Sequence, residues 1–151
     1  MKFNLDVEQS QREANQFYRD WRKLLEQLGY LATDWDSCTK TIHSKGEAVQ
    51  LVRHDGEQWI VDGSVCSKRF RVSASPLAVK IDGKQTLWAE LIVSLAKPSG
   101  DEYVEIERFL YDKEGSAYSS SSHDLTLSGD MPGSSWIILL GILKEVLEHK
   151  A

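Results

Sequence analysis

Ser-Ser-Trp-Ile-Ile-Leu-Leu-Gly-Ile-Leu, residues 134–143, is the stretch against which we expect the rest of the chain to pack. Ser134 or Ser135 can cap the start of a helix there, because a serine hydroxyl accepts a bond from a free backbone N–H of the first turn. The pattern predicts a helix over residues 134–150. Since its first two turns are apolar on every side, we expect the rest of the chain to cover them all round.

One row of apolar residues runs along this predicted helix at three- and four-residue spacing. The row consists of Trp136, Leu139, Leu140, Leu143, Val146 and Leu147. In the second half only this row remains apolar, so we expect that end to lie half in water. Leu140 belongs to the all-apolar turns, and its side chain should therefore be fully buried.

Composition places the chain among ordinary globular proteins. It has 151 residues, 41% hydrophobic and 27% charged, which fits one domain over residues 1–151. The net charge of -5 disfavours general attraction to nucleic acid or to anionic membranes. The apolar run at 136–143 is far shorter than the ~20 residues that span a bilayer. We expect a soluble cytoplasmic protein, because the N-terminus lacks an apolar signal segment and the two cysteines suit free thiols.

An amphipathic pattern near the N-terminus predicts a helix over residues 7–28 that ends at Gly29. Its apolar face is formed by Ala14, Phe17, Trp21, Leu24, Leu25 and Leu28. The opposite face carries charges of both signs, which is typical of a solvated surface. Asp6 with Gln9 and Ser10 with Glu13 both fit a helix start, so the sequence leaves these two beginnings open.

Between the helices, strand patterns alternate with tight turns. Asp-Gly pairs at residues 55–56, 62–63 and 82–83 suit two-residue hairpin loops, which need positive φ angles. They predict an antiparallel meander of about six to eight strands. The predicted strands cover residues 37–43, 47–54, 57–61, 64–73, 77–81, 85–97, 102–111 and 116–127. Helix, meander and helix together predict an α+β fold whose C-terminal helix packs on the sheet.

The strand at 85–97 is expected at the centre of the sheet, because both of its faces carry apolar residues. One face has Leu87, Ala89, Leu91, Val93 and Leu95, and the other has Trp88 and Ile92. The strand at 102–111 should form a hairpin with it. Its alternation places Val104, Ile106 and Leu110 on one face and Tyr103, Phe109 and Tyr111 on the other.

No set of residues predicts a catalytic, metal or cofactor site. Two pairs of histidine and acid, at residues 43 and 47 and at 54 and 55, would lie roughly 20 Å apart along a strand, too far for one zinc ion. Ser121, His123 and Asp124 have the residue types of a nucleophilic triad, but they share one segment and lack a nucleophile elbow. No phosphate loop, dinucleotide fingerprint or calcium loop occurs. We therefore expect no metal and no cofactor.

Aromatic residues are spread over both helices and the sheet, so several of the five tryptophans can meet in one core. The sharper hypothesis is a cavity between a curved sheet and the C-terminal helix, because ligand pockets have apolar walls with a few polar groups. The predicted ligand-binding residues of such a cavity are Trp88, Arg108, Phe109, Tyr111 and Trp136.

Two functions fit these patterns. The first is a non-catalytic, adaptor- or chaperone-like protein that holds a partner protein, or a homodimer, through an exposed strip of sheet or helix. The second is a carrier or enzyme for an apolar small molecule in the predicted cavity. The small acidic plan of helix, strands and helix resembles bacterial secretion chaperones, with Leu-Leu-Glu-Gln-Leu-Gly at residues 24–29 ending the first helix. That resemblance covers a small part of the chain and implies the first function.

Overall fold

The computed structural model describes residues 1–42, 49–54 and 58–150. Within these ranges it contains two helices and one antiparallel sheet of seven strands, which confirms the predicted α+β fold. The elements are α1 (Val7–Ile42), β1 (Val49–His54), β2 (Trp59–Val65), β3 (Lys68–Ile81), β4 (Lys84–Ala96), β5 (Tyr103–Tyr111), β6 (Ala117–Ser119), β7 (Leu125–Leu127) and α2 (Ser134–Glu148). The strands lie in chain order, so β4 is the central strand, as predicted.

Helix α1 is longer than predicted because its apolar row continues past Gly29. The row alternates steps of four and three residues through Phe17, Trp21, Leu24, Leu28, Leu31, Trp35 and Cys38. It is buried from Leu24 onward. The predicted stop at Gly29 is wrong, because α1 continues to Ile42. The strand predicted at 37–43 is also wrong for residues 37–42, which are helical, while His43 lies outside the described residues. A glycine costs a helix about 1 kcal/mol, less than the burial of one large apolar side chain returns.

Of the three Asp-Gly pairs, the one at Asp82 and Gly83 forms the predicted turn, with φ angles of 50° and 78°. The pair at residues 55–56 lies outside the described residues. The turn predicted at residues 62–63 is wrong, because both residues lie within β2 and the hairpin turns at Cys66 and Ser67 instead. Gly63 is needed for close packing: a Cβ there would lie 2.5 Å from Cζ of Phe70.

Strand β3 unites the strands predicted at 64–73 and 77–81, although Pro76 stands between them. Proline lacks the N–H that a central strand position needs. Here β2 pairs with β3 only as far as Ala74, while β4 pairs with β3 from Phe70 to Ile81. Pro76 therefore lies where β3 has become an edge strand, which is where a sheet tolerates proline.

A β-bulge changes the faces of β5. Val93 is opposite Glu107, whereas the next residue of β4, Ser94, is opposite Glu105. Ile106 is thus an extra residue, and beyond it the alternation shifts by one. The predicted grouping of Ile106 with Leu110 is wrong for this reason: Ile106 packs against the main core with Phe109, while Leu110 lies on the opposite face.

Both helices cover the same face of the sheet and enclose the main core. The rings of Trp35 and Trp59 pack there edge to face, with their centroids 5.9 Å apart. The predicted row on one face of β4 is confirmed and lies in this core, with Ala89, Leu91, Val93 and Leu95 buried and Leu87 half-buried. The other face, which we call the open face, carries a smaller core of Val79, Trp88 and Leu110 with Tyr118 packed against it.

Helix α2 begins at Ser134, as predicted, but it is covered on one side only. The indole Nε1 of Trp35 donates to the carbonyl of Ser135 at 3.0 Å, and Lys68 donates to the carbonyl of His149, so both ends are tied to the body. The buried side chains are Ile138, Leu139, Ile142, Leu143 and Val146. Exposed fractions are 39% for Trp136, 44% for Ile137, 47% for Leu140 and 50% for Leu147. The predictions of all-round coverage and of a buried Leu140 are therefore wrong.

Candidate binding groove

An apolar groove of about 450 Å³ runs between α2 and the part of the sheet formed by β4 to β7. Its lining residues are Val93, Glu107, Phe109, Ala117, Thr126, Leu127, Ile137, Ile138, Gly141, Ile142 and Glu145. Most of these side chains are apolar, and the charged ones, Glu107 and Glu145, are both acidic. Gly141 leaves open space on this flank of α2, since a Cβ at that position would meet no atom within 4 Å.

The groove is accessible because the last strands are short. The strand predicted at 116–127 is instead the two strands β6 and β7, with a turn between them. β6 pairs with β5 only at Phe109, Leu110 and Tyr111. Residues 103–108 of β5 pair with β4 on one side, and no described strand pairs with them on the other. An open strand edge, which we call the β5 edge, therefore borders the groove.

Helix α2 adds a second exposed apolar feature on its other flank. Trp136, Leu140 and Leu147 follow at four- and seven-residue spacing and share one side of the helix. The groove side chains Ile138, Gly141 and Glu145 project from the other side of the helix. We call the first set the α2 ridge. Apolar residues thus flank α2 on both sides, and large contiguous surfaces of this kind mark sites of association.

The residues predicted to bind a ligand lie at separate places. Phe109 lines the groove. Tyr111 is buried in the main core, where its hydroxyl accepts from Gln27 Nε2 at 3.1 Å. Burial, helped by the charges of Asp112 and Asp34, raises the pKa of Tyr111 to about 12. Trp136 belongs to the α2 ridge, so the structure places only one of these three in the groove.

The other two predicted residues, Trp88 and Arg108, are on the open face. Trp88 stacks on Tyr118 with ring centroids 4.0 Å apart. Tyr118 donates from its hydroxyl to Asp112 at 2.7 Å, and burial with this bond raises the pKa of Tyr118 to about 12. Arg108 bonds to Glu105 and lies 3.2 Å from Glu90. Trp88 and Arg108 therefore face away from the groove, and the five residues form no single pocket.

A polar chain crosses the open face from β1 to β5. Asp62 Oδ1 accepts from Arg71 Nε at 2.6 Å, and Asp62 Oδ2 lies 2.6 Å from His54 Nε2. The Arg71 guanidinium lies over the ring of Tyr103 at 4.3 Å. Burial acts to raise the pKa of Asp62, but the bonds and charges of Arg71 and His54 outweigh it and hold that pKa below its usual range. These polar side chains are already paired with one another, so this network serves to join neighbouring strands.

Ser121, His123 and Asp124, which have the residue types of a nucleophilic triad, do not form one. Ser121 Oγ lies 3.1 Å from Ser119 Oγ. His123 has a φ of 60°, and the centroid of its ring lies 6.2 Å from the ring centroid of Trp88. In the described ranges, no three His, Cys, Asp or Glu side chains come together as a metal site. Residues 43, 47 and 55 of the two pairs weighed for zinc lie outside those ranges.

The sequence hypothesis of a cavity between the sheet and the C-terminal helix named only one residue that lines the groove, Phe109, and it missed the others for physical reasons. The residues that form the groove on α2 are part of the all-apolar run, where periodicity cannot tell a covered side from an exposed one. The β5 edge depends on β6 being short, and the inward position of Ile106 depends on a bulge. The available signal was the serine run at 119–122, which is a poor continuation of a strand.

Comparison with known proteins adds no functional information. No family model, curated protein or solved structure matches the chain. Among the described residues, neither helix combines the length and the apolar character needed to cross a bilayer. The function must therefore be argued from the groove, the β5 edge and the α2 ridge.

Proposed function

We propose that this chain is a non-catalytic binding protein that holds a partner protein at the groove and along α2. One observation carries the proposal: an apolar groove stays open beside a strand edge with which no described strand pairs, under a helix that exposes large apolar side chains on both flanks. A folded domain ordinarily covers such surface, because leaving it in water costs about 25 cal/mol per Å². A partner protein would cover it.

The expected partner contributes an apolar segment, either an extended chain or one side of a helix. Extended segments add to open strand edges through backbone bonds and place alternate side chains in adjoining pockets. Because Glu107 and Glu145 line the groove, basic residues beside the apolar ones would favour binding. The α2 ridge enlarges the surface toward the ~800 Å² per side that specific interfaces bury.

A carrier for an apolar small molecule is the second candidate. The groove volume of about 450 Å³ favours it, because ligand pockets usually have ~300 to 1,000 Å³. The position of the groove favours the partner protein instead, since it extends along a strand edge and an exposed helix flank. A fatty-acid-like fluorescent probe separates the two: tight one-to-one uptake that Ile138→Trp abolishes would support the carrier.

Site-specific photo-crosslinking tests the proposed function. A photoreactive amino acid replaces Ile137, at the rim of the groove, in cells of the organism that encodes the chain. The matched control places it at Gln85, which is also exposed but lies in the β3–β4 hairpin. We expect a discrete adduct with another protein from position 137 and none from position 85. Equal labelling at both positions, or no adduct at 137, would contradict the proposal.

A further inference from the structure

Residues 1–6 precede α1 as an exposed segment, which we call the arm. Met1, Phe3 and Leu5 alternate with polar residues and are exposed at 104%, 78% and 62%. Such alternation is typical of a strand with one apolar face, yet no described strand pairs with the arm. The arm ends at Asp6, just before α1 begins: Oδ1 of Asp6 accepts a hydrogen bond from the N–H of Gln9 at 3.1 Å and caps the helix.

Helix α1 holds the arm away from the core of its own chain. Asp20 is the first buried residue of α1, and every residue from Val7 to Arg19 is exposed or only half-buried. At 1.5 Å per residue, about 20 Å of helix lies between Val7 and Asp20. Within the described part of the chain, the apolar side chains of the arm are therefore left without a site on their own body.

We propose that the arm of a second copy of this chain adds as a strand to the β5 edge and places Met1, Phe3 and Leu5 in the groove beneath α2. The inference rests on the proposed function, because it assigns an occupant to the same groove. In the resulting homodimer each copy gives its arm and receives the other one. The arm fills the groove until a partner protein displaces it.

The β5 edge is long enough to pair with residues 1–6. It covers residues 103–108, and at ~3.3 Å per residue six residues in strand conformation extend for about 20 Å. Of the two outer strands, β7 is only three residues long and offers a shorter template. β1 has six residues, but it lies at the opposite end of the sheet and lines no part of the groove. An added strand beside β5 would direct every second side chain toward α2. Phe109, Ile138 and Ile142 line the groove there and would be the apolar neighbours of these side chains.

The arm supplies most of the surface that such a dimer would bury. Burying one large apolar side chain removes roughly 60 to 120 Å² from water, so the three apolar side chains of one arm give roughly 180 to 360 Å². The groove residues Ile138 and Ile142 are already only 8% and 4% exposed, so covering them adds little. The backbone of the arm and of the β5 edge comes in addition. The total stays below the ~800 Å² per side of standard interfaces, which is the size range of complexes that dissociate readily.

Sedimentation of the full chain tests the dimer. Phe3→Ser combined with Leu5→Ser removes the apolar face of the arm, and both positions are exposed, so the fold is kept. We expect the double variant to weaken the dimer at least tenfold, which corresponds to 1.4 kcal/mol. Asn4→Ser, between the two positions, should leave it unchanged. A wild-type chain that stays monomeric, or a dimer that the double variant does not weaken, would overturn the inference.

Crosslinking identifies where the arm lies. A photoreactive amino acid at position 3, in a mixture of ¹⁵N-labelled and unlabelled chains, should give mixed-isotope peptides that join the arm to β5 or α2. Adducts within one chain only, or adducts to β1, would also overturn the inference. The proposed function fails separately: it fails if position 137 captures no other protein even in the Phe3→Ser, Leu5→Ser variant, whose groove is vacant.

Discussion

The two helices contrast in how their sequences relate to their burial. α1 is largely polar, yet from Leu24 to Cys38 its apolar row is covered by the sheet and α2. α2 is apolar on nearly every side, yet Trp136, Ile137, Leu140 and Leu147 stay exposed. The number of apolar residues in a helix therefore does not report how many sides are covered. In α1 the spacing identifies the covered side, whereas in α2 the surplus apolar residues identify a surface that the fold itself does not use.

The largest effect is expected from Trp35, which links the two helices. Trp35→Ala should lower the free energy of unfolding by ~3 to 5 kcal/mol, because it empties a buried site and removes the bond to Ser135. Trp136→Ala, at an exposed tryptophan, should cost less than about 1 kcal/mol. Urea unfolding followed by far-UV circular dichroism measures both. Similar losses of unfolding free energy at the two positions would contradict the contrast between the helices. If Trp35→Ala does not fold, Trp35→Phe provides a milder variant for the same comparison.

Adjacent leucines of α2 give the next effect. Leu139 is buried and Leu140 is 47% exposed, so Leu139→Ala should cost ~2 to 5 kcal/mol and Leu140→Ala less than about 1 kcal/mol. The chemical change is identical, and only the covered side differs. A large loss at Leu140 in the isolated monomer would show that both sides of α2 are packed.

The two cysteines report on the covered row of α1. Cys38 is buried, and burial together with the charge of Asp34 raises the pKa of its thiol to about 11, whereas Cys66 is exposed in a turn. A thiol reagent at pH 8 should label Cys66 quickly and Cys38 at least a hundredfold more slowly, since Cys38 becomes accessible only when the structure opens locally. Mass spectrometry of the labelled peptides assigns the sites. Equal labelling rates would mean that the end of α1 opens readily.

The smallest effects concern the glycine inside each helix. At Gly29 an added Cβ would lie 3.7 Å from the Arg53 guanidinium, an ordinary contact, and at Gly141 it would meet nothing. Gly29→Ala and Gly141→Ala should each raise the free energy of unfolding by ~0.5 to 1 kcal/mol. Only Gly141→Ala should also weaken groove binding, because the methyl group enters the groove. Urea midpoints and crosslink yield from position 137 measure the two effects separately.

The sequence predicted those features of the fold that depend on local patterns. Alternation in β4 identified which of its residues share a face, and the Asp82–Gly83 pair identified a hairpin turn. The same local rules failed at Gly29, Gly63 and Pro76, where a glycine or proline is accommodated by tertiary packing or by the end of a neighbouring strand. A single-residue rule does not contain that information.

The candidate site was less predictable than the fold, because it consists of what the chain leaves uncovered. Phe109 was predicted to contact a ligand and does line the groove. Trp88 could not be assigned correctly, since alternation gives two faces of β4 but not which one the helices cover. The β5 edge is set by the length of β6, which depends on the turn at 120–124.

The bonds at the two ends of α2 have a consequence for the thermodynamics of association. The helix is fixed to Trp35 at its start and to Lys68 near its end, so its flanks are held in one arrangement before anything binds. A partner then has little of this chain to order, and the entropy lost on binding comes mainly from the incoming segment. Such a surface should bind with a rate set by encounter and not by a slow rearrangement of α2, and its amide hydrogens should exchange equally slowly with and without a partner.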